Sequence, residues 1–273
     1  MDYQLIDSGD KRRLEKYGKF ILDRPDPEAM WSKTDIASWQ KSDAIFTNGT
    51  WQTTKSFPQS WIIEVMDMKV KLKLTPFKHT GLFPEQHFEW QIIEKQIKNS
   101  DDNFKMLSLF GYTGVSSLIG LKNGASVAHI DASRPAVAWF KENLSINGFD
   151  GKPVRYIIED ALKFTLRELK RGNRYDGIIM DPPVYGHGPS GEKWSFDKNF
   201  QQLLDNSIKI LSDDPKFLII NAYAVSTSHQ TLRNMLVEKM NKFKGTVSSG
   251  ELQLTDQSGK TLTTGIFALW QKE

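Results

Sequence analysis

The 273-residue sequence contains no cysteine. This absence excludes disulfide bonds, thiolate metal ligands and every mechanism that depends on a cysteine nucleophile. The chain also lacks an apolar run of about eighteen residues, and its start has no apolar core behind a basic tip. We therefore expect no membrane span, no signal peptide and, by default, a cytoplasmic protein.

Excess charge and metal-ligand patterns are scarce as well. The formal net charge is +3, which permits an anionic partner such as RNA without demanding one. The five histidines are not spaced as metal ligands, so we expect no metal site. A chain of this length has room for one large α/β domain and one small accessory domain.

Residues 1–76 show short apolar stretches separated by turn formers, which predicts a small β-rich domain with a possible role in substrate recognition. Residues 61–65 and 69–74 are predicted to form a hairpin. Two explanations fit the tryptophans and basic residues of this N-terminal domain. They could form a surface that stacks bases and contacts phosphates, or the indoles could be buried beside solvated charges. The residues concerned are Trp31, Trp39, Trp51, Trp61, Arg12, Arg13, Lys16 and Lys19.

Residues 105–131 predict a strand, a tight turn, a helix and a second strand. Gly111 and Gly114 in the turn allow a ligand to approach the backbone where the helix begins, or they only shape the turn. Asp131 ends the second strand, where a carboxylate can accept both hydroxyls of a ribose or simply cap the next helix.

Residues 77–273 continue this alternation and form the second predicted domain. Five strands alternate with helices, and two further strands near 246–254 and 262–270 follow without a helix between them. This pattern predicts a doubly wound, mostly parallel, Rossmann-like sheet of seven strands that ends in an antiparallel hairpin. Ligands of such sheets lie beyond the carboxyl ends of the strands, which here carry polar residues. These ends are 110–114, 131–133, 159–161, 181–183 and 221–223.

Residues 186–191 match GxGxxG literally. They follow an Asp-Pro-Pro break and lead into Glu192-Lys193-Trp194, without the helix that a dinucleotide-binding fingerprint requires. We interpret them as a flexible loop over the substrate, with phosphate binding as the alternative. The polar segment 75–86 is either functional or an interdomain linker.

Together, FGYTG at 110–114, the acidic ends of the second and third strands, and NRYDGIIMDPP at 173–183 resemble class I S-adenosylmethionine-dependent methyltransferases. More narrowly, the chain is similar to the bacterial large-subunit rRNA methyltransferases that modify cytosine C5 or guanine N7. The similarity runs from about Thr75 to the C-terminus and includes KHTGLFPEQ at 78–86. The N-terminal region does not resemble the RNA-binding PUA domain of many relatives.

The resemblance implies S-adenosylmethionine as cofactor, RNA as partner and a role for each matching residue. Phe110, Gly111, Tyr112, Thr113 and Gly114 would surround the methionine part of the cofactor. Asp131 would hold the ribose, and Ala132 and Ser133 would lie beside the adenine. Asp160 would accept a hydrogen bond from the adenine amino group, and Ala161 would belong to the same cofactor site. Thr80, Phe83 and Gln86 would close over the cofactor. Asp181, Pro182, Pro183 and Tyr185 would form the catalytic group.

Simpler roles remain open for two of these residues: Asp160 as a helix cap only, and Tyr185 as a core residue. Pro182 and Pro183 would fix the Asp181 carboxylate and the following carbonyls, which could accept from an exocyclic amine. Methylation at pyrimidine C5 needs a cysteine thiolate, so we predict a nitrogen or oxygen target. Val184 replaces the aromatic residue usual after the prolines of exocyclic-amine methyltransferases, which makes a ring nitrogen equally plausible.

Three other functions compete with RNA methylation. The modest net charge also suits a methyltransferase that acts on a protein or a small molecule. A non-catalytic binding module would keep the fold without the chemistry, although the carboxylates at 131, 160 and 181 argue against it. A nicotinamide-dependent oxidoreductase is disfavoured because the loop at 110–114 lacks a third glycine.

Overall fold

The computed structural model describes residues 1–53, 57–101 and 103–273. The chain divides into two compact units: Met1–Glu85 with Leu252–Thr264, and Gln86–Glu251 with Gly265–Glu273. The first unit thus runs past the predicted boundary at residue 76. One reason lies in two backbone hydrogen bonds that join residues on the two sides of this boundary, from Lys73 N to Thr80 O (3.1 Å) and from Thr75 N to His79 O (3.1 Å).

The first unit contains a five-stranded sheet, β1-β2-β3-β4-β5, and the two-stranded hairpin β6-β7. Its β-rich character and this hairpin confirm the prediction from the sequence. Neighbouring strands of the larger sheet are antiparallel except β3 and β4, which are parallel. The elements are β1 Tyr3–Gly9, β2 Arg12–Tyr17, β3 Phe20–Pro25, α1 Ile36–Trp39, β4 Ala44–Thr47, β5 Thr50–Thr53, β6 Trp61–Val65 and β7 Met68–Leu72.

A buried ionic cluster occupies the interior of the first unit. Glu15 is fully buried, and its carboxylate accepts hydrogen bonds from Nε and Nη2 of Arg24 and from the hydroxyl of Tyr3 (2.9 Å). Nε of Arg13 lies 3.4 Å from the same carboxylate. Burial alone would raise the pKa of Glu15, but Arg13 and Arg24 lower it to about 2. The cluster therefore keeps a carboxylate ionised inside the sheet.

Of the two explanations for the tryptophans and basic residues of the first unit, the surface that contacts RNA fails for four of the eight residues. Trp39 and Trp61 are buried, and Trp39 Nε1 donates to Asp7 Oδ2 (2.8 Å). Arg13 belongs to the buried cluster, and Nε of Arg12 lies 2.5 Å from Oδ1 of Asp23. Indoles in this unit are packed and its arginines are paired, so burial is the correct explanation. Lys16 and Lys19 remain exposed, while Trp31 and Trp51 are half-buried.

The second unit contains a seven-stranded sheet in the order β10-β9-β8-β11-β14-β16-β15, which confirms the predicted fold. The first five of these strands are mutually parallel, and β16 is antiparallel to β14. The strands are β8 Lys105–Leu109, β9 Ser126–Asp131, β10 Val154–Ile158, β11 Gly177–Met180, β14 Phe217–Ala222, β15 Thr246–Thr255 and β16 Thr261–Gln271. A separate hairpin pairs β12 Tyr185–His187 with β13 Lys193–Ser195.

Among the described residues of this unit, six helices connect and cover the strands. They are α2 His87–Lys98, α3 Val115–Lys122, α4 Arg134–Ile146, α5 Ala161–Arg171, α6 Phe196–Lys209 and α7 His229–Lys239. The central strands β11 and β14 are buried along their whole length because helices cover both faces of a parallel sheet. Across the described ranges, no helix is both long and apolar enough to span a membrane.

Candidate active site

The strand order of the second unit reverses between β8 and β11, because the chain proceeds from β8 to β9 and β10 on one side and returns to β11 and β14 on the other. Such a switch point forms a crevice at the carboxyl ends of the strands. The register is level across it: Leu109 pairs with Ile130 and with Met180. The segments after β8, β9 and β11 therefore leave the sheet at the same edge.

The loop after β8 has an unusual backbone conformation. Gly114 adopts a φ of 85° and caps the amino end of α3, and a Cβ there would lie 1.9 Å from the Phe140 ring. A Cβ on Gly111 would lie 2.4 Å from Cε1 of His129. Phe110 and Tyr112 are also left-handed, with φ of 55° and 49°. Strained non-glycine residues of this kind concentrate at functional sites.

Hydrogen bonds hold this loop against the neighbouring strand and helix. The Tyr112 amide donates to Oδ2 of Asp131 (2.8 Å), and Nδ2 of Asn143 on α4 donates to the Thr113 carbonyl (2.9 Å). His129 lies beneath the loop, where its fully buried ring stacks on Phe140 at 3.9 Å between centroids. Burial lowers the pKa of His129 to about 3, so the imidazole is neutral.

Asp131 does not cap the following helix. The cap of α4 is the exposed Ser133, whose hydroxyl accepts from the Ala136 amide (3.3 Å). Asp131 is half-buried and accepts from the Ser133 amide through Oδ1 (2.8 Å) and from Tyr112 through Oδ2. Burial raises its pKa, against the lowering effect of these two amides. Each oxygen retains a lone pair for a further donor.

Asp160 does cap a helix, as the simpler interpretation allowed. Its Oδ1 accepts from the Lys163 amide at 3.0 Å, at the start of α5. This bond uses one carboxylate oxygen, so Oδ2 is available for a ligand in addition. Ala161, the next residue, belongs to the apolar core of the second unit and can offer a ligand only its backbone.

Asp181 is held by a side chain from the segment before β8. Nε2 of Gln86 donates to Oδ2 of Asp181 (2.9 Å) and to the hydroxyl of Tyr223 (3.0 Å). Tyr223 follows β14, so three chain segments meet at this amide. Nearby on the same strand, fully buried Asn221 donates through Nδ2 to Oε2 of Glu89 (2.8 Å). Gln86 is thus placed at the predicted catalytic group.

The segment predicted as a flexible loop is the β12–β13 hairpin, which forms because residues 185–187 pair with 193–195. Its strands replace the helix that a phosphate-binding GxGxxG would need. The carbonyls of Pro183 and Val184 accept from Nε1 of Trp194 (2.6 Å) and from the amide of Phe196 (2.9 Å). These carbonyls, predicted to accept from a substrate amine, therefore already serve the fold.

The predicted site residues are partly brought together. Residues 110–114, 131–133, 160–161 and 181–183 follow adjacent strands of one sheet, and Gln86 contacts Asp181. Thr80 and Phe83 belong to the first unit. Tyr185 is 72% exposed and is therefore not a core residue. Pattern reasoning assigned no role to Trp194, Asn143 or Tyr223, although Tyr223 stands at a strand end, which was the signal that could have found it.

The hydrogen-bond acceptors and negative charges at this edge of the sheet fit an adenosine-bearing cation. Asp131 offers two acceptors suited to a ribose, Asp160 offers one at the next strand, and Asp181 supplies negative charge on the other side of the switch point. The Phe110 ring faces Trp194 at 5.0 Å between centroids beside the glycine loop. Within the described part of the chain, no group of three histidine or acidic residues could hold a metal ion.

Comparisons with known proteins agree with this geometry. A family model described as S-adenosylmethionine-dependent methyltransferase matches residues 42–227, so the match begins before Thr75. A crystal structure of a SAM-dependent methyltransferase from Agrobacterium tumefaciens is 36% identical, with a TM-score of 0.96, and the alignment covers 100% of this chain and 91% of that one.

Two relatives carry a more specific name. Ribosomal RNA large subunit methyltransferase K/L from Pseudoalteromonas atlantica is 32% identical over 63% of this chain and 24% of its own length. The protein of the same name from Shewanella sp. strain MR-4 is 33% identical over 56% of this chain and 21% of its own. The chain thus spans about a quarter of the length of these curated relatives.

Proposed function

Because the chain belongs to the S-adenosylmethionine-dependent methyltransferase family, we propose that it methylates a base in RNA, at a nitrogen atom. The observation that carries the proposal is the arrangement at the switch point. There the strained loop 110–114 and Asp131 lie on one side, and Asp181 with its Gln86 partner lies on the other. A cofactor bound to the first side would present its methyl group toward the second.

Most residues of the site have a proposed role. Asp131 accepts hydrogen bonds from the ribose hydroxyls, and Oδ2 of Asp160 accepts one from the adenine amino group. Ala132 and Ser133 lie beside the adenine. The loop 110–114 encloses the methionine part. Asp181, fixed by Gln86, faces the incoming nucleophile, and Pro182 and Pro183 restrict its backbone. The roles of Thr80 and Phe83 stay predictions.

Methyl transfer requires the protein mainly to align the nucleophile with the methyl group. When bound, S-adenosylmethionine would supply an electrophilic methyl group: a lone pair attacks the methyl carbon in line, and the C–S bond breaks to release S-adenosylhomocysteine. The Asp181 carboxylate accepts a hydrogen bond from an amine nucleophile or orients a ring nitrogen. The carbonyls of Pro183 and Val184 each accept one hydrogen bond within the fold, so we assign the recognition of an exocyclic amine to Asp181 and the Pro182 carbonyl.

Two observations support RNA and nitrogen as the target. The curated relatives are named as methyltransferases of large-subunit ribosomal RNA, and this chain aligns with a part of them. The absence of cysteine removes the thiolate that C5 methylation of a pyrimidine requires, whereas a nitrogen lone pair needs no covalent activation.

The test is direct. Purified protein with methyl-labelled S-adenosylmethionine is incubated with total RNA from cells that lack the gene, and the digested nucleosides are separated by mass spectrometry. We expect label in one N-methylated nucleoside, with RNA from gene-bearing cells as the pre-modified control. Label in 5-methylcytidine would contradict the nitrogen target, and label confined to protein or small molecules would contradict RNA.

A second prediction separates the two roles of Asp160. Asparagine keeps the helix cap because its Oδ1 can accept from the Lys163 amide, but it then directs an NH₂ group at the adenine amine. We expect Asp160→Asn to leave the free energy of unfolding within about 0.5 kcal/mol of wild type and Asp160→Ala to lower it by about 1 kcal/mol. Both variants should weaken cofactor binding about tenfold, because one hydrogen bond is lost.

Denaturant unfolding and calorimetry with S-adenosylhomocysteine give the two quantities. Ser228→Ala is the matched control, since it removes the cap of helix α7, where the Ser228 hydroxyl accepts from the Thr231 amide (3.2 Å), without removing a carboxylate. Unchanged cofactor affinity in Asp160→Asn would reduce Asp160 to a helix cap.

A further inference from the structure

The β12–β13 hairpin has two different faces. Its register pairs Gly186 with Trp194 and His187 with Lys193. Because side chains alternate along a strand, Trp194 points to one face, and Tyr185, His187 and Lys193 point to the other. Exposure agrees with this alternation: Trp194 is 4% exposed and Tyr185 is 72% exposed. We call the second set, Tyr185, His187 and Lys193, the outer face.

The inner face fixes the hairpin to the active site. Nε1 of Trp194 donates to the carbonyl of Pro183, two residues after Asp181, and its ring packs on Phe110 of the glycine loop. At the turn, Glu192 forms an ion pair with Lys163 in the first turn of α5. The hairpin therefore contacts the segments after β8 and β11 and the helix α5, which Asp160 caps.

The outer face takes no part in this anchoring. Among the residues that the structure describes, the side chains of Tyr185, His187 and Lys193 make no hydrogen bond or ion pair with the rest of the chain. The acidic residue of the hairpin, Glu192, is neutralised by Lys163, so the outer face has a basic character. An exposed aromatic ring with a cation and an imidazole nearby is the combination that stacks a base and contacts a phosphate.

We propose that the outer face binds the nucleotides of a single-stranded RNA that flank the modified base. Tyr185 stacks on a base, while Lys193 and His187 contact the backbone. This inference rests on the proposed function and names the surface that presents the substrate to Asp181. Stacking is tolerant of sequence, so the surface holds the strand while the switch-point crevice selects the atom.

The experiment measures affinity for a fluorescein-labelled 12-nucleotide single-stranded RNA of mixed sequence by anisotropy, together with methylation of total RNA. Tyr185→Leu should weaken oligonucleotide binding roughly 5- to 100-fold, and Tyr185→Phe should retain it, because the ring remains. Lys193→Gln should weaken binding a few-fold and reduce the slope of log K against log salt by about 0.7. Affinity for S-adenosylhomocysteine should stay unchanged in all three variants.

Matched controls lie elsewhere in the second unit. Tyr156→Leu removes a tyrosine that is 41% exposed on β10, and Lys170→Gln removes an exposed lysine near the end of α5. Both should bind the oligonucleotide as wild type does. If wild type methylates RNA and Tyr185→Leu equals it in oligonucleotide affinity and methylation rate, the RNA-binding role of the outer face is contradicted and the proposed function stands. If wild type binds the oligonucleotide through Tyr185 but methylates no RNA, the proposed function falls and the binding surface stands.

Discussion

Replacing Asp131 with asparagine is expected to weaken the binding of S-adenosylmethionine by about 100-fold or more. The carboxylate already accepts from the amides of Tyr112 and Ser133, one at each oxygen. In the proposed complex it also accepts two ribose hydroxyls, and charge-assisted hydrogen bonds of this kind contribute about 1.5–3 kcal/mol each. An amide offers one acceptor oxygen for four donors and turns an NH₂ group toward the rest. The loss is therefore about 3 kcal/mol or more, which corresponds to 100-fold.

Titration calorimetry with S-adenosylhomocysteine measures this effect without turnover. Asp150→Asn is the matched control, because Asp150 is an exposed carboxylate in the second unit that also accepts a hydrogen bond, from the hydroxyl of Ser145 (2.7 Å). Its affinity should equal that of wild type. An Asp131→Asn protein with a dissociation constant within threefold of wild type would mean that Asp131 serves only to tie Tyr112 to β9.

The largest loss of stability is expected from Glu15→Gln in the first unit. The substitution removes the carboxylate that pairs with Nε of both Arg13 and Arg24 in a buried cluster. Arg24 then loses its carboxylate partner, while Nη1 of Arg13 keeps Asp26 at 3.5 Å. Breaking a buried ion pair from one side costs about 3–5 kcal/mol. Urea unfolding followed by tryptophan fluorescence measures the change, and Glu64→Gln, at an exposed position on β6, should change it by less than about 0.5 kcal/mol.

The same carboxylate makes stability depend on pH. The pKa of Glu15 lies at about 2 in the folded protein, below its ordinary value of 4.5. Its contribution is therefore complete above pH 4.5 and declines as the pH falls toward 2, because protonation then favours the unfolded chain. We expect wild type to lose more stability than Glu15→Gln between pH 5 and pH 3. Equal losses in the two proteins would contradict the ionised state of the cluster.

Strand and helix order in the second unit followed from the sequence because hydrophobic periodicity and turn residues agree with each other there. The positions at strand ends followed in turn, since parallel strands bring their carboxyl ends to one edge. Asp131 and Asp181 could be proposed on that basis alone. The hydrogen-bond partners of these carboxylates could not be predicted from the sequence, because Gln86, which donates to Asp181, lies 95 positions away from it in the chain.

Two questions that the sequence left open have one physical origin. Tryptophan and arginine each combine an apolar body with a polar tip, so the same residue serves a core or a surface equally well. Trp39 fitted either a surface or a core, and it is buried with its indole nitrogen bonded to Asp7. Trp194 received no role, although it anchors the hairpin beside Asp181. Only the tertiary partner of each ring, which no local pattern contains, distinguishes the two outcomes.

The divided C-terminal hairpin limits how this polypeptide can be dismantled. Its tip, Leu252–Thr264, supplies the first unit with Leu254 and Leu262, which pack with Leu5 and Ala29, and with Asp256, which accepts the hydroxyl of Ser8. A protease cut or a gene truncation anywhere between residues 86 and 251 thus strips the amino-terminal fragment of part of its own interior. Each unit consists of two separate stretches of sequence, so a chimera that replaces one unit has to exchange both of its stretches at once.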